Sequence, residues 1–284
     1  MPPKFEVYSY RSNAPGPHLL VLGAIHGDEI CGTIAASRLR TELDLDILQL
    51  QAGELTLVPV CNPVAYKARK RFVSSNLNRI IARHADPEDH EHEFANALTA
   101  LIERADIVLD LHAYPAGKTP FLFLDYQTDA NRDLAAAQGI THWLTGWPEL
   151  YAKMGESLSQ GDTVSYANAH GKTGIVVECG HYTEPAAITV AYTCIRRSLA
   201  YLGLMQNDHV AQLATPQICQ VREVVLRDRS GSFAKPWQHL DAVATGEPLI
   251  RYDDGTVLTA PFDGFVLLPN EKVALNQEWL YLGS

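Results

Sequence analysis

The chain predicts an α/β fold: a three-layer domain followed by a small, all-β domain. Three observations carry this. Apolar strand-like runs alternate with helix-period stretches up to about Leu204. Those runs are apolar at nearly every position rather than at alternate ones. Beyond Leu204 the helical period disappears, and short strands divided by Gly, Asp and Pro turns take over. A strand that is apolar on both sides has to be covered on both sides, which sets helices above and below the sheet.

The strand candidates of the first part are HLLVLGAI (18–25), ELTLVPV (54–60), DIVLDLHA (106–113), PFLFLDY (120–126) and TGIVVECG (173–180). Between and after them, EICGTIAASRLRTEL (29–43), EHEFANALTALIERA (91–105), NRDLAAAQGITHWL (131–144) and EPAAITVAYTCIRRSLAYLGLM (184–205) read as helices. QNDHVAQLATPQ (206–217) reads as a polar connection. The β part then offers ICQVREVVLRD, EPLIRY, TVLTAPFDGFVLLP and EWLYLGS, arranged as a barrel or a sandwich. This places one domain over residues 1–205 and a second over 216–284. APFDGFVLLPNEKV has the look of the hairpin of biotinyl and lipoyl carrier domains, but it lacks the Met-Lys-Met attachment motif. The roles left for this domain are a lid or wall over the active site, or a contact in a homo-oligomer.

Composition narrows the function. The 284 residues have 46% hydrophobic and 20% charged content, ordinary for a globular protein, and a formal net charge of −10. Such a balance argues against a general nucleic-acid binder, which would show a basic face. No apolar run is long enough to span a bilayer. The first residues, MPPKFEVYSYRS, lack the charged start and apolar core of a signal peptide. Five scattered cysteines with no C-x-x-C pair fit reduced thiols, so the expected location is the cytoplasm.

Chemistry gathers at the carboxyl ends of the strands, where the sites of such sheets lie. The first strand runs into His26 and Glu29, spaced H-x-x-E, although a plain turn needs neither. An imidazole nitrogen with a carboxylate oxygen suits zinc, whose catalytic sites keep three protein ligands and one open position. DIVLDLHA supplies the third, His112, and Asp110 two residues earlier projects to the same face of the strand. From there a carboxylate can fix the tautomer of a ligating imidazole. Taken singly, His26 would also serve as a turn histidine and His112 as a hydrogen-bonded core residue. Glu178 ends another apolar run, a poor place for a carboxylate unless it is paired or working. In a zinc hydrolase it would take a proton from the attacking water and pass it to the leaving amine. His181, three residues on, reads as loop lining.

RKRFVSSNLNRI (69–80) collects Arg71, Asn78 and Arg79, two fork donors and an amide suited to a carboxylate. Arg69 and Lys70 read as solvated. HADPEDHEHE (84–93) imitates a second metal site with His84, His90 and His92, but its polar, acidic setting reads as a loop leading into a helix.

In order, His26-x-x-Glu29, the CNP of residues 61–63, Arg71 with NLNR, the DLH of residues 110–112 and VECG around Glu178 resemble the succinylglutamate desuccinylase/aspartoacylase family of the zinc carboxypeptidase-like superfamily. The likeness spans most of residues 18–190. It implies a mixed central sheet, one zinc ion held by His26, Glu29 and His112, and Glu178 as general base. Arg71 would polarise the scissile carbonyl and stabilise the oxyanion, while Asn78 and Arg79 bind a substrate carboxylate. The family's carboxyl-terminal β domain matches the change of character after Leu204. Two features depart from it: Asn76 stands where the family commonly has Asp, and SYANAHGKTG offers only His170 and Lys172 where aspartoacylases carry a second arginine.

The expected activity is therefore zinc-dependent cleavage of the amide bond in a small N-acyl amino acid or related anionic compound. The rival readings are a metallocarboxypeptidase acting on short peptides and a non-catalytic, metal-dependent binding protein.

Overall fold

A computed structural model describes residues 4–153, 161–206 and 215–284. Its elements in chain order are β1 (Tyr8–Arg11), β2 (His18–Gly23), α1 (Cys31–Asp44), β3 (Glu54–Val58), α2 (Pro63–Ala68), a 3-10 turn (Leu77–Arg79) and α3 (His90–Arg104). There follow β4 (Ile107–Tyr114), β5 (Phe121–Phe123), α4 (Asp129–Ala137), β6 (His142–Thr145), α5 (Trp147–Lys153), α6 (Thr163–Ala169), β7 (Thr173–His181) and α7 (Pro185–Tyr201). The last are β8 (Gln217–Leu226), β9 (Gly231–Phe233), β10 (Asp241–Val243), β11 (Pro248–Tyr252), β12 (Val257–Thr259), β13 (Gly264–Leu267) and β14 (Glu278–Gly283). Most of the polar connection expected over 206–217 lies outside the described residues.

One mixed sheet runs β1-β3-β2-β4-β7-β5-β6-β8-β14-β13-β10. β3, β2, β4 and β7 run parallel to one another, while β1 pairs antiparallel with β3 and β5 antiparallel with β7. The alternation of side chains along each strand sorts the two faces. Leu19 and Val21, Ile107, Leu109 and Leu111, and Ile175 and Val177 meet α1, α4 and α7. Leu20, Leu22 and Val108 meet α3 and α6 on the other side. Asp110 and His112 continue the Val108 face, and Glu178 continues that of Val176. The polar residues thus interrupt one face only, at the carboxyl end, while the opposite face stays apolar.

Two elements differ from the sequence reading. The helix expected over 131–144 stops at Ala137, because Gly139 takes a positive φ of 64° and turns the chain. The residues after it form β6, with Trp143 and Leu144 buried. The β region expected after residue 216 is present, and it lengthens the central sheet: β8 pairs parallel with β6 from His142↔Gln217 to Thr145↔Gln220. A separate sheet, β12-β11-β9, closes over this extension around Trp237, Leu249, Ile250, Trp279 and Leu280. Among the described residues no helix is long and apolar enough to cross a membrane.

Trp279 is fully buried where these two sheets meet, with the Phe233 ring centroid at 5.8 Å and that of Tyr252 at 6.2 Å. Trp279→Ala is expected to cost about 3–5 kcal/mol in urea unfolding, as large-to-small changes of buried aromatics do. A loss below about 1 kcal/mol, the scale of an ordinary substitution, would show that this ring does not hold the sheets together.

Candidate active site

At the end of β2 the chain turns sharply, with Ala24 at φ 46°, and delivers His26 and Glu29 to the mouth of the sheet. Gly27 lies between them because nothing larger fits: a Cβ there would stand 2.1 Å from the Ala65 carbonyl carbon. The Gly27 N–H donates to the Arg71 carbonyl at 3.2 Å, which ties this turn to the loop carrying Arg71. That loop is ordered in turn by Glu91, a buried carboxylate accepting from the Val73 N–H at 2.8 Å and the Asn62 amide at 3.4 Å. The Asn62 Oδ1 atom caps α2 by accepting from the Ala65 N–H. The CNP motif and the acidic run before α3 thus both support Arg71. Reading 84–93 as a solvated loop missed Glu91, although α3 does begin there, capped by Asp89.

His26, Glu29 and His112 converge, all buried, with one ligand atom from each within 4.8 Å of the others. His26 Nδ1 lies 2.8 Å from Glu29 Oε1, and His112 Nδ1 lies 2.9 Å from Glu29 Oε2. His26 Nδ1 is out of solvent and has no aligned hydrogen-bond partner. The opposite nitrogen, Nε2, stands 3.2 Å from Asn76 Oδ1. An amide oxygen can only accept, so the tautomer that bonds Asn76 carries its proton on Nε2 and leaves a free lone pair on Nδ1. Asn76 therefore keeps the acceptor that the family's Asp would offer, without its charge. Asp110 Oδ2 stands 3.0 Å from His112 Nε2 and also accepts from the Thr163 hydroxyl.

Charge follows the same geometry. Burial drives His26 down to about 4, so that it is neutral near pH 7. For His112, burial opposes protonation, but the Asp110 and Glu29 carboxylates outweigh it and raise the pKa well above the usual range. Burial opposes ionisation of Glu29 too; the two imidazoles outweigh it and hold the carboxyl well below its ordinary value. Arg71 Nη1 adds a contact to Glu29 Oε1 at 2.8 Å. Two imidazole nitrogens and a carboxylate, gathered out of water with one lone pair unspent, fit a divalent transition metal.

A cavity of about 180 Å³ opens beside this group, lined by His26, His112, Glu178, Arg71, Asn78 and Arg79 among others. Glu178 is the register partner of His112 on the adjacent strand, so their side chains share a face. Its Oε2 is out of solvent without a hydrogen-bond partner. Burial, and then the charge of Glu29, push its carboxyl up to about 8. Asn78 sits in the 3-10 turn, its backbone N–H held by Asn76 Oδ1 and its own Oδ1 unpartnered. Arg79 Nη1 donates to the neighbouring Asn78 carbonyl at 2.8 Å. Every residue singled out for chemistry in the sequence thus lines the cavity or touches one that does. His181 instead pairs with Thr183, and His170 stacks on Tyr166.

The cavity also holds residues that the sequence reading passed over, among them Asp125, Tyr126, Trp147, Asp162 and, from the carboxyl-terminal β region, Leu268 and Tyr281. Asp125 ends the apolar run FLFL just as Glu178 ends GIVV, so the same signal was present in the sequence.

Residues 15–201 match the succinylglutamate desuccinylase/aspartoacylase catalytic domain, and the chain belongs to this family of deacylases. It is 29% identical over 205 residues to the N-alpha-acetyl-L-2,4-diaminobutyric acid deacetylase of Halomonas elongata, a match spanning 68% of this chain and 57% of that protein. In fold it is similar to a succinylglutamate desuccinylase/aspartoacylase from Rhodobacter sphaeroides (TM-score 0.79, 22% identity, 99% of this chain and 88% of that one). The product-bound ectoine utilization protein EutE (DoeB) of Ruegeria pomeroyi is also similar (TM-score 0.80, 21% identity, 98% and 88%).

The donor set has a direct test in metal content. With His26 and His112 both replaced by Ala, one carboxylate remains, too few ligands for a tight site. The double variant is expected to emerge metal-free from a purification in which wild type keeps one equivalent of zinc. Retention of a full equivalent would place the metal elsewhere.

Proposed function

We propose that the chain is a zinc-dependent deacylase that hydrolyses the amide of a small N-acyl amino acid or related anionic compound, acting in the cytoplasm. Residues 1–205 carry the chemistry, and residues 216–284 narrow the mouth. The observation that bears most weight is Glu178: a solvent-excluded carboxylate oxygen with no partner, beside His112 and on the wall of the same cavity. A buried carboxylate left unpaired is costly, and a proton-transfer role accounts for it.

His26, Glu29 and His112 would hold the zinc, which supplies a Lewis acid for the scissile carbonyl and makes water more acidic. Asp110 keeps the His112 ring oriented, and Asn76 does the same for His26. Glu178 Oε2 takes a proton from the attacking water and returns it to the nitrogen of the leaving amine. Burial raises its pKa to about 8, so the proton it takes up is held near neutral pH until the amine nitrogen receives it. The Arg71 guanidinium stands at the cavity with one face on Glu29 and stabilises the oxyanion that develops on the carbonyl oxygen. Asn78 and Arg79 bind the substrate carboxylate, Arg79 through a planar fork that matches its two oxygens. The small cavity, walled in part by Leu268 and Tyr281, favours a small acylated substrate over a peptide.

Glu178→Gln keeps size and shape but cannot accept the proton. Turnover is expected to fall by roughly 10²–10⁴, the usual worth of a positioned general base, with zinc content and melting temperature near wild type. An active variant would move the base elsewhere, and loss of zinc would make Glu178 a ligand.

The two arginines divide by the step they serve. Arg79→Ala is expected chiefly to raise KM, because it removes a contact made throughout, whereas Arg71→Ala lowers kcat by removing one made in the transition state. Steady-state kinetics on one acyl amino acid separate the two. If both variants changed KM alone, Arg71 would be a binding group.

A further inference from the structure

On the face of the sheet turned away from the metal-binding residues, a second cavity of about 300 Å³ lies between α7 and the segments leading into β5 and β6. That is the small end of the range of ligand sites, roughly 300–1,000 Å³. Pro120, Ile140 and Val190 give it apolar walls. Gln138 and Cys194, both buried, form its inner side with half-buried Arg197. Its rim reaches His142, two strands from Glu178 along the row Glu178↔Phe121↔His142.

No Asp or Glu lines this cavity, and its one permanent charge is the Arg197 guanidinium. Arg38, Arg40, Arg71, Arg83 and Arg229 each meet a carboxylate, but Arg197 meets none among the described residues. One arm is spent: Nη1 donates to the carbonyl of Gln138, the residue that ends α4. The Nε–H is out of solvent and has no partner. Nε and the second terminal nitrogen form the edge of the planar fork that a carboxylate meets through two parallel bonds. Gln138 is left short as well. Its Nε2 donates to the Leu134 carbonyl at 2.9 Å and the Ser198 hydroxyl at 3.1 Å, while Oε1 has no partner. A buried donor without an acceptor is destabilising, and an anion that supplies one is held for that reason.

The same groups define the class of ligand. A lone guanidinium balances one negative charge, and the acceptor Gln138 Oε1 disfavours a second. The apolar walls suit a short hydrocarbon tail. Thr193, one turn before Arg197 on α7, adds a hydroxyl. We propose that this cavity binds a short-chain monocarboxylate, its carboxylate on the Nε edge of Arg197 and its tail against Pro120, Ile140 and Val190. The site is distinct from the carboxylate anchor at Arg79, and it stands whether or not the chain is a deacylase.

The test is calorimetry on the zinc-loaded protein in an Arg79→Ala background, which silences the anchor of the active cavity. The probes are butyrate, butyramide and inorganic phosphate, which carry one, no and more than one negative charge. Butyrate is expected to bind roughly 10–100-fold more tightly than butyramide, the worth of charge-assisted hydrogen bonds, and more tightly than phosphate. Arg197→Gln, whose amide can still donate to the Gln138 carbonyl, is expected to weaken butyrate by about tenfold or more. Melting temperatures show whether that variant folds. Should it unfold, Arg197→Lys keeps the charge without the fork and is expected to weaken butyrate by about threefold or more. Absence of butyrate binding, equal binding of butyramide or tighter binding of phosphate would each overturn the proposal. So would a butyrate affinity unmoved by the Arg197 variants, which would place the carboxylate in the active cavity.

Discussion

One buried carboxylate, that of Glu29, organises the site. It is 4% exposed, and its two oxygens meet His26, Arg71, His112 and the Ala113 N–H. A charge so far from water needs that many partners. Each arrives on a different piece of chain: His26 on the turn after β2, Arg71 on the loop before the 3-10 turn, and His112 and Ala113 on β4. Satisfying Glu29 therefore fixes the position of three segments at once, and the remaining polar groups arrange themselves around those three. Asp110 follows from β4, Asn76 from the loop and Glu178 from the register of β7 against β4.

Much of this could be read in the residues because the sheet is buried on both faces. In such strands any polar residue stands out, and His112, Asp110 and Glu178 are interruptions of otherwise apolar runs. Parallel strands with aligned carboxyl ends then bring such interruptions together without further information. His26 and Glu29 were legible for a related reason, since a turn needs neither. The mixed sheet followed from the family likeness and not from the pattern, because the antiparallel insertion of β5 leaves no mark on its three residues.

What escaped the sequence is mostly second in line. Asn76 reads as the loss of a charge, whereas its value lies in an acceptor oxygen placed against His26 Nε2, which only the folded loop reveals. Glu91 sits in a run of acids and histidines that looks solvated; its neighbours Asp89, His90 and Glu93 hide the one member that turns inward. β6 reads as the end of a helix because Leu144 falls seven residues after Ala137, on the same helical face, with only Gly139 to mark the break. Asp125 carried the same signature as Glu178, but no family motif surrounds it.

The parallel pairing of β6 with β8 bears on how ligands enter and leave. Leu268 and Tyr281 belong to the carboxyl-terminal β region and form part of the cavity wall, yet that region is joined to the central sheet by a ladder of backbone hydrogen bonds. To swing it aside as a hinged cover would break the ladder and leave its donors and acceptors unpaired. Half-exposed Arg71 and exposed Phe72 and Val73 stand instead on loop backbone, and Arg71 bonds Glu29. Motion there perturbs Glu29 directly. Displacement of that loop and slackening of the metal-binding group would then be coupled events.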